Sequence, residues 1–134
     1  MKMLRSKSPF SSSRKKLSAD LALASRLADA AGAAIRPYFR SSFGLEIKPD
    51  ATPVTLADRA AEAAIRRILE AERPDDGIIG EEYGATREGA SRVWVLDPID
   101  GTRSFVGGRP IFGTLISLVE DGVPVLGEIG RAHV

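Results

Sequence analysis

Apolar positions in the first half of the chain recur at the three- and four-residue spacing of helix faces. Residues 17–39 predict a first amphipathic helix, which Pro37 should kink or close in its last turn. Its apolar stripe consists of Leu17, Leu21, Ala24, Leu27, Ala28, Ala31, Ile35 and Tyr38. A second helix is predicted to begin at Thr55, where residues 55–58 fit a capping box, and to stop before Pro74. Its buried stripe consists of Ala61, Ala64, Ile65, Ile68 and Leu69.

A short apolar run in the second half ends in two carboxylates. Residues 93–96 are β-branched or aromatic apart from one leucine, which predicts a buried strand. Pro98 and Gly101 are expected to end this strand abruptly. The carboxylates of Asp97 and Asp100 then lie at its carboxyl end, where open α/β sheets place their ligands. The alternative is a turn between two strands, because Asp-Gly between apolar runs is also a hairpin signal.

A second apolar run, residues 78–80, repeats this layout by ending in Glu81 and Glu82. If the two strands are neighbours, Glu81 and Asp97 come together, and a divalent cation between them would relieve their repulsion. The alternative is that both glutamates only solvate a loop, which is the commoner fate of such pairs.

The last third of the chain predicts a hairpin of residues 111–119 and 123–126 around an Asp-Gly turn. Before it, residues 103–106 are predicted to form one helical turn. The backbone amides of Gly101 and Thr102 would then point out of a helix amino terminus, which is an anion site that needs no basic side chain.

Composition narrows the possible chemistry. With 134 residues, 43% of them hydrophobic, the chain is long enough for one domain. A net charge of +1 does not favour nucleic acid or an anionic membrane, and no apolar run approaches the ~20 residues needed to cross a bilayer. The absence of cysteine excludes thiolate chemistry, and the single histidine, His133, argues against a serine-histidine pair. We therefore expect a soluble, cytoplasmic protein that uses carboxylates, hydroxyls, amides and a metal.

The amino terminus differs from the rest in charge. Residues 1–19 contain six basic residues and six serines but no acidic residue. This composition predicts a disordered basic leader over residues 1–16. An organelle transit peptide is the alternative. A nucleic-acid-binding arm is less favoured, because Phe10 is the only aromatic residue among these charges.

Three spaced motifs resemble the inositol monophosphatase family of magnesium-dependent phosphomonoesterases. They are residues 48–58, with a Pro-Val-Thr…Asp core, the Gly-Glu-Glu of residues 80–82, and the Asp-Pro-Ile-Asp-Gly-Thr of residues 97–102. The ordered set is very specific, and the resemblance covers about residues 17–127, the amino-terminal half of a family member. Residues 103–116 are most similar to the histidinol-phosphatase branch.

The resemblance implies an α+β fold: a layered α/β sandwich cut to its amino-terminal half, with two helices packed on a mainly antiparallel sheet. Residues 17–127 would form an incomplete metal- and phosphate-binding phosphatase domain. Residues 128–134 are interpreted as a non-native tail, since they match the peptide encoded by a common sequencing adapter read up to a stop codon. The hypothesis is a truncated gene model. Finding those seven codons and a stop in genomic DNA past codon 127 would end it.

The resemblance also implies a set of metal ligands. Glu81, Asp97 and the carbonyl of Ile99 would bind one Mg2+, and Asp97 and Asp100 would contribute to a second. Mg2+ prefers such oxygen ligands. Two or three ions are expected, with Mn2+ as a possible substitute. The missing half would supply a further aspartate for the second ion.

Catalytic roles follow from the same resemblance. Glu81 and Thr102, with Asp58 hydrogen-bonded behind Thr102, would position and deprotonate a metal-activated water. The amides of Gly101 and Thr102 would hold phosphate oxygens. From its own sequence position, Asp58 is interpreted only as a capping carboxylate in a first helical turn.

The implied function is magnesium-dependent phosphomonoester hydrolysis, with L-histidinol phosphate as the substrate, in histidine biosynthesis. Inositol-1-monophosphatase or broad sugar-phosphate phosphatase activity is the alternative, and a non-catalytic binding or scaffold domain is the alternative of another class. The expected partner is a small phosphorylated alcohol, with neither nucleic acid nor membrane. The resemblance favours a homodimer at full length, whereas this chain alone is predicted to be weakly active or inactive.

Overall fold

Two helices and five strands make up the fold in a computed structural model. It describes the backbone of residues 9–40, 53–100 and 111–133, and within these ranges the side chains of residues 14–38, 56–97 and 114–130. The elements are α1 (Pro9–Arg40), α2 (Pro53–Glu72), β1 (Gly77–Gly80), β2 (Gly84–Thr86), β3 (Arg92–Asp100), β4 (Ile111–Glu120) and β5 (Val123–His133).

The strands form one mixed sheet in the order β2-β1-β3-β4-β5. Only the β1–β3 pair of this described sheet is parallel, and its other three pairs are antiparallel. Helix α1 packs on α2 and on β4 and β5, while α2 contacts β3. The prediction of two helices on a mainly antiparallel sheet is therefore confirmed. Neither described helix is long and apolar enough to cross a membrane.

Helix α1 begins at Pro9 rather than at the predicted residue 17. Proline suits a first helical position, because its missing N–H would have no partner there. The predicted disorder is therefore wrong for residues 9–16, which are helical, and Lys16 forms a 3.2 Å ion pair with Glu120 of β4. Residues 1–8 lie outside the described part of the chain, and the division at residue 16 remains a prediction.

Most of the predicted α1 stripe is buried, but its first two members are not. Leu17 and Leu21 are each 40% exposed. The buried side chain at this end of the helix is Asp20, whose carboxylate accepts a 2.7 Å hydrogen bond from Arg92 at the start of β3. The sequence pattern was wrong here, because a paired arginine allowed a carboxylate to take the inner position.

Helix α2 begins at Pro53 and ends at Glu72, before Pro74 as predicted. Thr55 is therefore inside the first turn, and the predicted capping box at that residue is wrong. The stripe residues Ala61, Ile65 and Leu69 are fully buried. Glu62 is fully buried beside them, which the sequence pattern did not predict.

One face of the sheet carries the core. Ile78, Trp94, Leu96, Ile116 and Leu118 are nearly inaccessible and cluster with the buried stripes of both helices. The strand register places a second apolar set on the opposite face: Ile79 is 39% exposed, Val95 37% and Ile129 66%.

The hairpin of β4 and β5 turns at Asp121 and Gly122, as predicted, and both residues have positive φ (50° and 79°). Two consecutive positive values match the tight turn that best fits the twist of a hairpin. Strand β5 forms one edge of the described sheet and continues to His133, beyond the predicted end at residue 126. Residues 128–133 thus pair with β4, and the origin proposed for them stays a prediction.

Candidate active site

The parallel pairing of β1 and β3 places two of the predicted ligands side by side. Gly80 pairs with Leu96, so Glu81 and Asp97 follow on neighbouring strands at the same carboxyl edge. Neighbouring strands in a sheet lie about 4.8 Å apart. This juxtaposition is the one expected from the repeated layout of the two apolar runs.

A bulge interrupts β3 directly after Asp97. Asp97 pairs with Leu115 and Asp100 with Gly113, so three steps along β3 match two steps along β4. The strand therefore continues to Asp100, and the predicted abrupt end at Pro98 is wrong. Proline has no N–H to give to the ladder and is tolerated in a sheet mainly at bulges and edges. The Ile99 carbonyl, a predicted ligand, lies in this bulged segment.

Asp58 lies among other carboxylates. Its pKa is raised from 3.8 to about 7, first by burial and then by the negative charges of Glu82, Asp97, Glu81 and Glu62. Asp58 is the sixth residue of α2, beyond the first turn, so the interpretation as a helix cap is wrong. Carboxylates from α2, from the turn after β1 and from β3 thus converge at one end of the fold.

The two adjacent glutamates have different environments. Glu82 forms a 3.5 Å ion pair with Arg59 on α2. Glu81 is exposed and has no ion pair within the described side chains, while its charge acts on Asp58. Of the two, Glu81 has the carboxylate that is available to a cation.

The chemistry of these groups fits a hard divalent cation. Burial, and after it repulsion by neighbouring carboxylates, raises the pKa of Asp58, and a cation among these carboxylates would relieve the repulsion. Carboxylate and carbonyl oxygens suit Mg2+. Among the described side chains, no group of three His, Cys, Asp or Glu residues is close enough to hold an ion by itself. The predicted set also includes the Asp100 side chain, which lies outside the described side chains. The predicted phosphate-binding residues Gly101 and Thr102 lie outside the described residues as well.

Glu62 hydrogen-bonds the turn that carries Glu81, a role that the hydrophobic pattern does not predict. Its carboxylate accepts backbone hydrogen bonds from Glu82 (3.1 Å) and Tyr83 (2.8 Å) and a side-chain hydrogen bond from Arg66 (3.0 Å). The sequence does contain one sign of this role: Glu62 follows the buried position Ala61, and Arg66, four residues later, lies on the same helix face and can pair with it.

Comparison with known proteins adds a family match. The sequence model of the inositol monophosphatase family matches residues 16–133. The bifunctional phosphatase IMPL2 of Arabidopsis thaliana is 47% identical over 130 residues, which cover 96% of this chain and 38% of that protein. A histidinol-phosphatase of Mycobacterium tuberculosis is 48% identical over 111 residues, which cover 82% of this chain and 43% of that enzyme.

Solved structures give the same result. An inositol monophosphatase from Zymomonas mobilis superposes with a TM-score of 0.69 and 56% identity, covering 92% of this chain and 44% of that one. An inositol monophosphatase from an Anabaena species superposes with a TM-score of 0.70 and 32% identity, covering 85% of this chain and 40% of that one. The chain spans less than half the length of the curated relatives that it matches.

The raised pKa of Asp58 predicts a pH-dependent stability in metal-free buffer. Because the folded-state pKa is raised, the contribution of Asp58 is fully present below its unfolded pKa of 3.8 and is lost as the pH rises toward about 7. Asp58→Asn should therefore become progressively more stable than the wild type between pH 4.5 and pH 7.5, as measured by urea unfolding in the presence of EDTA.

A matched control is Asp75→Asn, because Asp75 is exposed in the turn after α2. The difference in unfolding free energy between this variant and the wild type should stay constant over the same pH range. If the Asp58→Asn difference is equally constant, the electrostatic account of Asp58 is wrong.

Proposed function

The chain belongs to the inositol monophosphatase family, and on that premise we propose that it is the metal- and phosphate-binding half of a magnesium-dependent phosphomonoester hydrolase. Enzymes of this family generally depend on Mg2+. The observation that carries the proposal is the parallel register of β1 and β3, which sets Glu81 beside Asp97 within electrostatic range of Asp58. The activity of the whole protein is part of the proposal, since the chain spans less than half of its relatives.

In the proposed site, Glu81, Asp97 and the Ile99 carbonyl would hold one Mg2+, and Asp97 and Asp100 would contribute to a second. When bound, Mg2+ supplies Lewis-acid activation of water and of the phosphoryl group. The neighbouring strand ends support this arrangement, because they offer two carboxylates and a backbone carbonyl from a bulge. All three are the oxygen donors that Mg2+ prefers.

In this proposal, residues of the chain orient the attacking water and take its proton. Asp58 would accept a hydrogen bond from the Thr102 hydroxyl, and this hydroxyl together with Glu81 would orient the attacking water. Glu81 would take a proton from that water as the water oxygen bonds to phosphorus and the phosphorus–oxygen bond to the alcohol breaks, and the departing alkoxide would take up a proton from solvent and leave as the alcohol. The amides of Gly101 and Thr102 would bind the phosphate oxygens. The closeness of Asp58 to the charges of Glu81 and Asp97 supports its place in this group.

For the substrate, we propose L-histidinol phosphate, which would place the protein in histidine biosynthesis. The support is that several curated relatives are named histidinol-phosphatase. A second candidate is inositol 1-phosphate or a broad range of sugar phosphates, which the similarity to the Zymomonas mobilis inositol monophosphatase favours. For the full-length protein we propose a cytoplasmic homodimer. We expect the 134-residue chain to turn over weakly or not at all.

Magnesium binding separates the enzyme proposal from a non-catalytic scaffold. Addition of Mg2+ should raise the melting temperature of this chain. At ten times the dissociation constant the stabilisation would be about 1.4 kcal/mol, a shift of a few degrees. Asp97→Asn should abolish the shift, because it removes a ligand of both proposed ions, whereas Asp75→Asn should keep it. If neither Mg2+ nor Mn2+ raises the wild-type melting temperature, the scaffold function is the better account.

The substrate is tested on the full-length gene product by phosphate release with Mg2+. We expect kcat/KM for L-histidinol phosphate to exceed that for inositol 1-phosphate by roughly tenfold or more, which corresponds to about 1.4 kcal/mol of differential transition-state binding. A clear preference for the inositol ester would discard the histidinol-phosphatase branch and leave the proposed chemistry intact.

A further inference from the structure

Glu62 lies where α2 meets the turn that carries Glu81. We propose that Glu62 is a positioning residue that sets the place of Glu81 by hydrogen-bonding the two peptide units that follow it and packing against Gly80, which precedes it. The inference rests on the proposed function, in which Glu81 is a metal ligand. On this proposal, the Glu62 carboxylate positions a metal ligand in addition to stabilising the packing of α2.

Glu62 contacts the backbone on the carboxyl side of Glu81. The Glu82 N–H, which donates to Glu62 at 3.1 Å, belongs to the peptide unit that directly follows Glu81. Because a peptide unit is planar, fixing this N–H also fixes the carbonyl of Glu81. The Tyr83 N–H donates at 2.8 Å to the other carboxylate oxygen. One side chain therefore holds two successive peptide units after Glu81.

On the amino side of Glu81, Gly80 lies against the carboxylate of Glu62. A Cβ atom at this position would collide with the carboxylate of Glu62, so only glycine lets the two approach so closely. Gly80 is also the last residue of β1, paired with Leu96 of β3. Glu81 is thus held between a strand end that touches Glu62 and two amides that donate to Glu62.

Arg66 balances the charge of this buried group. Glu62 is fully buried, and a buried carboxylate is costly unless it is paired and hydrogen-bonded. Arg66 donates to it at 3.0 Å and also binds the Thr86 hydroxyl (3.0 Å) and the Gly84 carbonyl. The same arginine therefore ties α2 to β2, so that the whole β1–β2 hairpin is attached to the helix through the pair.

A purely structural ion pair would have the same contacts, so the test needs a readout that only positioning changes. Partners of metal ligands typically alter metal affinity by 10–100-fold when they are mutated. A structural pair would alter stability and leave the affinity of the folded protein unchanged. Metal affinity, together with local amide exchange, distinguishes these two cases.

The first variant is Glu62→Gln in the 134-residue chain, which keeps the size of the side chain but turns an amide NH2 toward a backbone donor. Exchange of the Glu82 and Tyr83 amide protons should become at least tenfold faster, while the amides in the middle of α2 keep their rates. Affinity for Mg2+, measured by isothermal titration calorimetry, should fall roughly tenfold to a hundredfold.

Glu70→Gln is the matched control, because Glu70 lies on the same helix and pairs with Arg87 at 2.7 Å without touching the 81–83 turn. It should change neither readout. If Glu62→Gln does not fold, Gly80→Ala displaces the same carboxylate from the other side and should reproduce the pattern. Its control is Gly89→Ala, because a Cβ at Gly89 has no atom within 4 Å.

Each outcome either supports or overturns the positioning role of Glu62. Faster turn exchange with weaker Mg2+ binding supports the positioning role. Unchanged exchange, or faster exchange with unchanged Mg2+ affinity, overturns it and leaves Glu62 as a structural ion pair. A wild-type chain that binds neither Mg2+ nor Mn2+ overturns the proposed function itself, and the positioning role falls with it whatever the exchange rates are.

Discussion

The parallel pairing of β1 with β3 is the constraint on which the candidate site depends. In an antiparallel pair, the carboxyl end of one strand lies beside the amino end of its neighbour, so acidic residues that end two strands would be separated by a strand length. Here the two strands run in the same direction, so Glu81, directly after β1, lies beside Asp97 at the bulge of β3. The single parallel pair of the described sheet thus brings Glu81 and Asp97, which are distant in sequence, to the same place in the fold.

Placing carboxylates close together is unfavourable, and ion pairs and hydrogen bonds elsewhere in the fold hold the elements that carry them. At the carboxyl end of β1, the buried Glu62 accepts hydrogen bonds from two amides of the turn that leads to β2, and Arg66 balances its charge. At the amino end of β3, Arg92 binds the buried Asp20, and Asp76 accepts a 2.9 Å hydrogen bond from the Trp94 indole. Paired carboxylates thus attach the β1–β2 hairpin to α2 and β3 to α1, so that the strands carrying the repelling carboxylates are held in place.

Hydrophobic spacing predicted both helices and the hairpin, because these features depend on residues close in sequence. The repeated layout of two apolar runs left the adjacency of Glu81 and Asp97 as one of two alternatives, and the parallel register of β1 and β3 decides in its favour. Hydrophobic spacing failed where a distant partner decides the outcome. Glu62 accepts hydrogen bonds from amides about twenty residues later, and Asp20 pairs with Arg92 of a distant strand, so neither burial can be read from local spacing. The bulge after Asp97 depends on the register of a neighbouring strand, and the ligand roles came from family resemblance.

The β4–β5 hairpin leaves the outer side of β5 as an edge of the described sheet, and this edge is long and carries apolar side chains. Val123 and Ile129 are 59% and 66% exposed along a strand of eleven residues. Unpaired edge strands of this kind are templates for joining another strand, and proline and charge, which β5 carries at Pro124, Glu128 and Arg131, weaken that tendency. Handled as an isolated polypeptide, the chain is therefore expected to self-associate along this edge at high concentration, to an extent that these three residues limit.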